Sequence, residues 1–568
     1  MKRRWFDPLL EAPARPGRAG ALAGAGYAVL GGLLWVLASP PVGVWPLAFA
    51  AAMPTLVAID RAPTPRRAGL WGALTAMTFT VGGFPWMIHL LQVNAHLPLP
   101  VAVLGLFVLG AMHGVVWLVA ARMIRSLRDR DRAHKRGPWA LALVAPLALV
   151  VVEVLLWTPF PFSMAIAVAD QPFLRSLAGF LGPAAITALL VGVPAALLDA
   201  TAPPPPGMRK RTRWHPSIGI VVFALLLFAG SRRRTDEGAT RTLQIGIVQP
   251  NLRVDVDHDV RQRLAHLGDL QQATAELEKR GADLVVWSEA AYPFELSRDL
   301  VADYPENDRR RIRRGFTIPI VFGTITSFDP RGAQWNSAVL LERDGRLTGR
   351  ADKVHRMIGS EYNPVLEWFP SASAIMPAGA GSYAAGDGPV ALETTVDGAR
   401  VRMAVAVCLE DVLPAYGREL AGLDVDLLVN VTNDSWFGGA EPLQHEALAR
   451  FRPVEMGVPM VRAVNTGPSS LLDRDGDTIA RLPIRPDGGP PETLLADVEL
   501  QPRALAFYAR AGGTVIRIIA WAALAWWLLP VLVGWVRRRR RRDDETSSSP
   551  RPATRGGGTR AGARRARR

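Results

Sequence analysis

The sequence predicts a polytopic α-helical membrane domain, then one soluble α/β domain, then a last membrane anchor. Three observations predict this. Long apolar runs crowd before residue 231 and return from Thr514 to Val536. The stretch between them has the composition of a soluble domain, with short apolar strand-like runs alternating with helix-period segments. Basic residues fall on alternate connections between the apolar runs.

In chain order, the runs lie near 20–39, 42–60, 68–91, 98–121, 138–158, 175–199, 217–231 and 514–536. About 20 apolar residues cross a bilayer. The first run follows a basic start, Met1-Lys2-Arg3-Arg4, as a signal peptide would. Its apolar part is long and more spans follow, so it reads as retained. The basic clusters are Lys2, Arg3, Arg4, Arg15 and Arg18; Arg61, Arg66 and Arg67; the dense segment 122–136; and Arg209, Lys210, Arg211 and Arg213. The intervening connections are almost bare of Lys and Arg, apart from Arg175. The alternation places both termini in the cytoplasm and the soluble segment outside, with Arg232, Arg233 and Arg234 as a local exception. The expected division is a seven-span membrane domain over 1–234, a catalytic domain over 235–510, a final span over 511–536 and a basic tail over 537–568.

The formal charge of +15 raises nucleic acid as a partner. However, 13 arginines and only three acidic residues lie beyond Val536, and six of those arginines directly follow an apolar run. Anchoring at the cytoplasmic membrane face explains this better than base recognition, so no nucleic-acid partner is expected. Cys408 is the only cysteine, which excludes an intrachain disulfide and a cysteine-rich metal site. Pro203–Pro206 reads as a stiff connector, and the chain from Thr546 as disordered.

Within the soluble segment, Leu243–Val248, Asp283–Trp287, Ile318–Thr324, Ser337–Leu341, Val401–Val407 and Asp426–Val431 read as strands. Asp257–Arg280 reads as a helix because Val260, Leu264, Leu267, Leu270 and Leu277 recur at three- and four-residue spacing. Glu441–Met456 reads as a second helix.

Three positions carry reactive groups. Glu289 closes Val285-Val286-Trp287-Ser288-Glu289, Lys353 lies in Asp352-Lys353-Val354-His355, and Cys408 follows Ala404-Val405-Ala406-Val407. Taken singly, each has a plain reading: a loop glutamate in water, a surface lysine, a small core residue. A thiol reacts when a base or a cation stands beside it. Together, Glu, Lys and Cys at strand ends, in that order, resemble the nitrilase (carbon-nitrogen hydrolase) superfamily. The resemblance implies an α-β-β-α sandwich. It also implies that the Cys is the nucleophile, the Glu the general base and the Lys the oxyanion partner.

The resemblance narrows to the apolipoprotein N-acyltransferase family. Seven spans, one outer domain and a final span match that layout. Thr432-Asn433-Asp434-Ser435-Trp436-Phe437-Gly438 resembles the family's Asn-Asp-Ala-Trp-Phe-Gly segment. Gln444-His445, Ala449-Arg450-Phe451-Arg452 and Glu455 resemble the helix after it, and Val464-Asn465-Thr466-Gly467 the next strand and turn. Three departures stand out: Met357-Ile358-Gly359-Ser360-Glu361-Tyr362 replaces a Val-Pro-Phe-Gly-Glu-Tyr pattern, Leu409 replaces a Tyr, and Ser288 a Pro. The resemblance implies Glu361 and Glu410 as supporting acids, and Trp287, Asn433, Trp436 and Trp368 as substrate contacts. Trp368 belongs to an apolar arm over 365–376 that would touch the bilayer. The implied reaction moves an acyl chain from a membrane phospholipid, through a Cys thioester, to the N-terminal amine of a diacylglyceryl-cysteine apolipoprotein, with no metal or organic cofactor. The implied setting is a monomer in the bacterial inner membrane with its catalytic domain periplasmic. A membrane-anchored amidase or nitrilase acting on small C–N substrates is the alternative reading. A channel or transporter is disfavoured because no paired broken helices are evident.

Overall fold

A computed structural model of the chain describes residues 18–93, 95–133, 140–158, 160, 163–201, 241–253, 259–329, 332–358, 361–362, 383–501 and 505–547. The expected run at 217–231, the proline connector, the arm at 365–376 and the tail from residue 548 lie outside them.

The first half is helical. Helices α1 (Arg18–Ala38), α2 (Ala48–Arg61), α3 (Pro65–Gly83), α4 (Trp86–Val93), α5 (Leu99–Ala133), α6 (Leu141–Leu155) and α7 (Pro183–Thr201) pack around one apolar core. Among the described residues, four helical stretches are long and apolar enough to cross a membrane: Ala19–Ala38, Leu99–Arg130, Pro183–Thr201 and Tyr508–Val533. Their outward faces carry bare Leu22, Leu104, Val115, Trp521 and Leu529, which in water would form a large apolar surface and which lipid covers at no cost. Three expected runs are broken. The run at 68–91 bends by 65° between α3 and α4, where Pro85 cannot donate its backbone nitrogen. The run at 42–60 opens with a 3-10 turn, Trp45–Leu47, so its α-helix is only 14 residues long. The run at 175–199 contains two short helical pieces before α7, and the chain turns at Gly182 with φ +78°. A Cβ at Gly182 would meet the Tyr508 ring at 2.6 Å, so both backbone angle and space demand glycine.

The second half is two layers, a seven-stranded and a six-stranded sheet. In the first, the order is β13 (Glu492–Leu500), β1 (Arg241–Gln249), β2 (Leu284–Trp287), β4 (Ile320–Ser327), β5 (Gln334–Leu341) and β6 (Leu347–Asp352), with the short β3 (Leu296–Ser297) beside β4. In the second it is β12 (Thr478–Arg481), β11 (Ser470–Leu472), β10 (Met460–Val464), β9 (Leu427–Thr432), β8 (Ala399–Val407) and β7 (Ala391–Val396). In both layers the central strands run parallel and the flanks antiparallel. Alternation along each strand builds two faces. Leu284 and Val286 join Val405, Val407, Val429 and Val431 between the sheets. Val285 and Trp287 point the other way, against Leu267, Leu270 and Leu277 of α8 (Val260–Lys279). Ala404, Ala406 and Leu428 do the same against Tyr416 and Leu420 of α9 (Pro414–Ala421). The result is the expected α-β-β-α sandwich. The expected helix Glu441–Met456 is two, α10 (Glu441–Ala449) and α11 (Phe451–Met456), because Pro453 has no N–H to give the Ala449 carbonyl. The last helix, α12 (Gly513–Ser547), leaves the sandwich through a π-helical turn, Tyr508–Gly512.

Neighbouring residues of α10 tie this domain in two directions. Gln444 accepts from Trp86 Nε1 (2.9 Å) and donates to the Pro40 and Gly83 carbonyls (2.9 and 2.8 Å), so it grips the membrane helices at their bend. His445 faces inward, with Nδ1 2.8 Å from Asp434 and Nε2 2.7 Å from Asp411. Arg462 spans the same two carboxylates, Nη2 to Asp434 at 3.0 Å and Nε to Asp411 at 3.3 Å. All four side chains are fully buried. Both imidazole nitrogens face carboxylates, so the ring is an imidazolium. Burial alone would depress its pKa, and Asp411 and Asp434 overcome this and lift it to about 10.

Two outcomes follow from this cluster. Arg462→Met leaves two buried carboxylates sharing one cation, and is expected to cost about 3–5 kcal/mol in thermal or denaturant unfolding of the full chain. His445 has a raised folded pKa, so its contribution is complete below about 6.5, its ordinary value. It is lost as pH rises through about 10. Melting temperatures measured across that window should fall in the parent and fall less in His445→Gln.

Candidate active site

Strand ends of the two sheets deliver the three candidate residues, two of them from parallel strands and Lys353 from the antiparallel edge strand β6. Glu289 stands two residues beyond β2, Lys353 directly after β6 and Cys408 directly after β8. Each is almost completely buried, at 8, 2 and 6 % exposure. Cys408 has φ +55°, a left-handed conformation that L residues adopt rarely and that concentrates at functional turns. Asn430 holds that turn by donating to the Ala406 and Cys408 carbonyls (3.2 and 3.1 Å). The Glu289 turn presses on β4 at Gly323, where a Cβ would come within 2.6 Å of Glu289 Cα. Lys353 is aimed from behind: Asp352 accepts two bonds from Arg298 (3.0 and 2.8 Å) and one from Ser337 (2.6 Å).

Four side chains interlock at the centre. Lys353 Nζ lies 2.8 Å from Glu361 Oε2 and 3.8 Å from Glu289 Oε1. Asn336 Nδ2 donates to Glu289 Oε1 (2.6 Å) and to Glu361 Oε1 (3.0 Å). Glu361 also accepts from the Met357 amide (2.7 Å), closing the loop on itself. Burial pushes Glu289 above the usual carboxylate range; Lys353 opposes the shift and Glu361 adds to it. Burial also raises the Cys408 thiol well above its ordinary value, and the Glu289 carboxylate raises it further, against Lys353. Lys353 is the opposite case. Burial disfavours its charge, but the surrounding anions more than compensate, so its pKa is raised and it stays an ammonium. At rest the site therefore holds a protonated thiol, a fixed cation and a carboxylate of enhanced basicity.

Glu410 joins the Lys353 loop to the nucleophile turn. One oxygen accepts from the Val354 and His355 amides (2.7 and 2.8 Å), the other from the Val407 amide (2.8 Å). Burial lifts it to about 7 against the pull of those donors. Glu361 and Glu410 both bond the backbone of the loop that follows Lys353, and Glu361 also contacts Lys353 itself.

Two cavities flank this centre, with no lining residue in common among the described residues. One, of about 550 Å³, runs between Trp117, Leu149, Leu156 and Trp157 of the helical half and Met357 and Leu409 of the sandwich. The other, of about 800 Å³, has Ser288 and Glu289 in its wall, with Tyr383, Asn433 and Trp436. Asn433 and Trp436 are thereby placed beside the reactive cluster. Trp287 is not. Its ring faces α8 by strand alternation, is fully buried and donates to Thr274 Oγ1 (2.9 Å), so its expected substrate contact is corrected to a core role. Trp368 lies outside the described residues. Sequence reasoning missed Asn336 as the bridge between the two glutamates, and the Asp411–His445–Asp434–Arg462 cluster behind the nucleophile turn. The available signals were an amide beside a buried strand and an arginine inside the apolar run Met460–Val464.

Residues 31–196 match the family model described as the apolipoprotein N-acyltransferase N-terminal domain, and residues 244–505 match that of carbon-nitrogen hydrolase. The chain is 27% identical over 521 residues to the apolipoprotein N-acyltransferase of Geobacter metallireducens, covering 88% of this chain and 92% of the relative. It is 30% identical over 498 residues to that of Sinorhizobium medicae, covering 81% and 88%. Among solved structures, an amidase from Nesterenkonia sp. aligns at 18% identity and a TM-score of 0.34, over 49% of this chain and 96% of the amidase. With both domains matched in order and a 30%-identical relative covered over most of its length, the chain belongs to the apolipoprotein N-acyltransferase family.

Proposed function

We propose that the protein is a membrane-embedded acyltransferase that carries an acyl chain from a phospholipid, through a thioester on Cys408, to the α-amine of a diacylglyceryl-cysteine apolipoprotein. The observation that carries this reading is the buried Glu289–Lys353–Cys408 cluster, beside a cavity walled on one side by the helical half. A donor and an acceptor that are both lipids reach such a site without leaving the bilayer. The apolar runs and the charge alternation support a multi-pass inner-membrane protein whose catalytic domain faces the periplasm.

The chemistry follows from the resting charges. The thiol is protonated, so Glu289 takes its proton as sulfur attacks the donor ester carbonyl. The negative charge that grows on the carbonyl oxygen is met by the Lys353 ammonium, held in place before the reaction begins. Collapse of the tetrahedral adduct breaks the ester C–O bond, and Glu289 returns its proton to the departing lysophospholipid oxygen. The acceptor amine then attacks the thioester carbon. Glu289 removes a proton from the nitrogen, the amide C–N bond forms, and the C–S bond breaks. The released thiolate regains the proton from Glu289, and the site is restored. Glu361 and Asn336 position the base and the cation, and Glu410 fixes the backbone between Lys353 and Cys408.

Cys408→Ala is expected to abolish the acyl mass on the intact protein after incubation with phospholipid, and with it N-acylation. An alanine variant that still loads acyl chain would overturn the reading, as would ammonia release from small amides with no lipid turnover. The acid limb of the loading rate should lie above the ordinary carboxylate range, because Glu289 must be ionised to act and its pKa is raised. Glu289→Gln should slow loading by about 10²–10⁴-fold and erase that limb in a pH–rate profile.

A further inference from the structure

We infer that the cavity on the Glu289 side is a subsite for the polypeptide that follows the modified cysteine of the acceptor, an inference that rests on the acyl-transfer reading above. The first support is position. The attacking amine must approach where Glu289 can take its proton, and Ser288 and Glu289 form part of this cavity's wall. The second is the contrast between the two cavities. The one behind Leu409 is walled by membrane-helix side chains such as Val116, Trp117 and Leu149, which suit acyl chains. The Glu289-side cavity takes no residue from those helices. An acceptor that leaves its diacylglyceryl arm in the apolar region has only its peptide left to place on the far side of its amine.

The third support is the character of the walls. Arg253 and Arg263 face Asp269, Glu289 and Glu295, so both signs are present, and Gln334 and Asn433 add amides. An extended peptide brings unpaired N–H and C=O groups that need such partners. Walls without one dominant sign of charge accept many sequences after the cysteine. The volume of about 800 Å³ lies within the range of ligand cavities.

Ala265 gives access to a test. It lies on α8, is exposed, lines the cavity and carries no reacting group. The experiment uses the full chain in detergent micelles with dipalmitoyl phosphatidylethanolamine as donor. Two acceptors are compared: dipalmitoylglyceryl-cysteine amide, and the same group followed by a four-residue Ser/Asn/Ala peptide. The parent is expected to use the peptide acceptor with about tenfold higher kcat/KM, equivalent to ~1.4 kcal/mol. Ala265→Trp should remove most of that advantage while acyl loading of Cys408 proceeds as in the parent. The inference is overturned if the parent shows no advantage, or if the advantage survives in Ala265→Trp. It is equally overturned if the substitution instead raises KM for phospholipid in the loading step, which marks a headgroup site. Should the Trp variant not accumulate, Ala265→Leu must show the same selective loss. Failure of the acyl-transfer reading itself is a separate result, the absence of any acyl mass on Cys408 in the parent.

Discussion

Lys353 is sunk to 2 % exposure between two carboxylates, and most of the catalytic domain is arranged to keep it there. An ammonium buried without partners would lose its proton or unfold the site. Glu361 contacts it at 2.8 Å, and Asn336 ties Glu361 to Glu289, so Lys353, Glu361 and Glu289 form one hydrogen-bonded unit. Burial raises both Glu289 and the Cys408 thiol, and the neighbouring carboxylates add to each shift against the pull of Lys353. The same burial therefore strengthens Glu289 as a proton acceptor and holds the proton on Cys408.

That unit is held from both sheets. Glu289 comes from the first layer and Cys408 from the second, so their meeting depends on how the two sheets are stacked. The interlayer contacts of Leu284 and Val286 with Val405, Val407 and Val429 set that stacking. Glu410 then fixes the Lys353 loop to the end of β8 through three backbone bonds. Behind the nucleophile turn, two buried cations and two buried anions join Asp411, three residues beyond Cys408, to Asp434 at the start of the wall that holds Trp436. Buried ion clusters of this kind add little net stability but penalise every alternative arrangement that separates their charges.

The same helix that anchors this cluster also anchors the domain to the membrane half. Gln444 caps the α3–α4 bend, and Trp86 packs edge-on to Phe437 with ring centroids 5.6 Å apart. Gly512 lets the exit turn approach Phe180 so closely that a Cβ would meet its carbonyl at 2.0 Å. At the far end of α5, Arg130 donates to the Trp527 carbonyl of the last helix (2.6 Å). The catalytic domain is therefore gripped at its base and at its exit, which keeps the helix-walled cavity aligned with the reactive cluster.

The sequence by itself determined the two-part architecture, because hydrophobic run length and strand–helix periodicity are local properties that survive in any tertiary context. It also pointed to Glu289, Lys353 and Cys408 as candidates, since a strand that ends in Glu, Lys or Cys is visible in the chain. The exposed edge strand β13, with Glu492, Asp497 and Glu499, gave no continuous apolar run and was read only from its pairing with β1. Trp287 shows where local reading misleads. Its place next to Glu289 looked functional, yet alternation turns it to the opposite face of the sheet. Only the tertiary structure decided the partners. Asn336 meets Glu289 across 47 positions and Glu361 across 25, and His445 meets Asp411 across 34. Such contacts have no signature in local composition, because they are created when segments distant in the chain are brought side by side within each layer, and not by the segments that carry them.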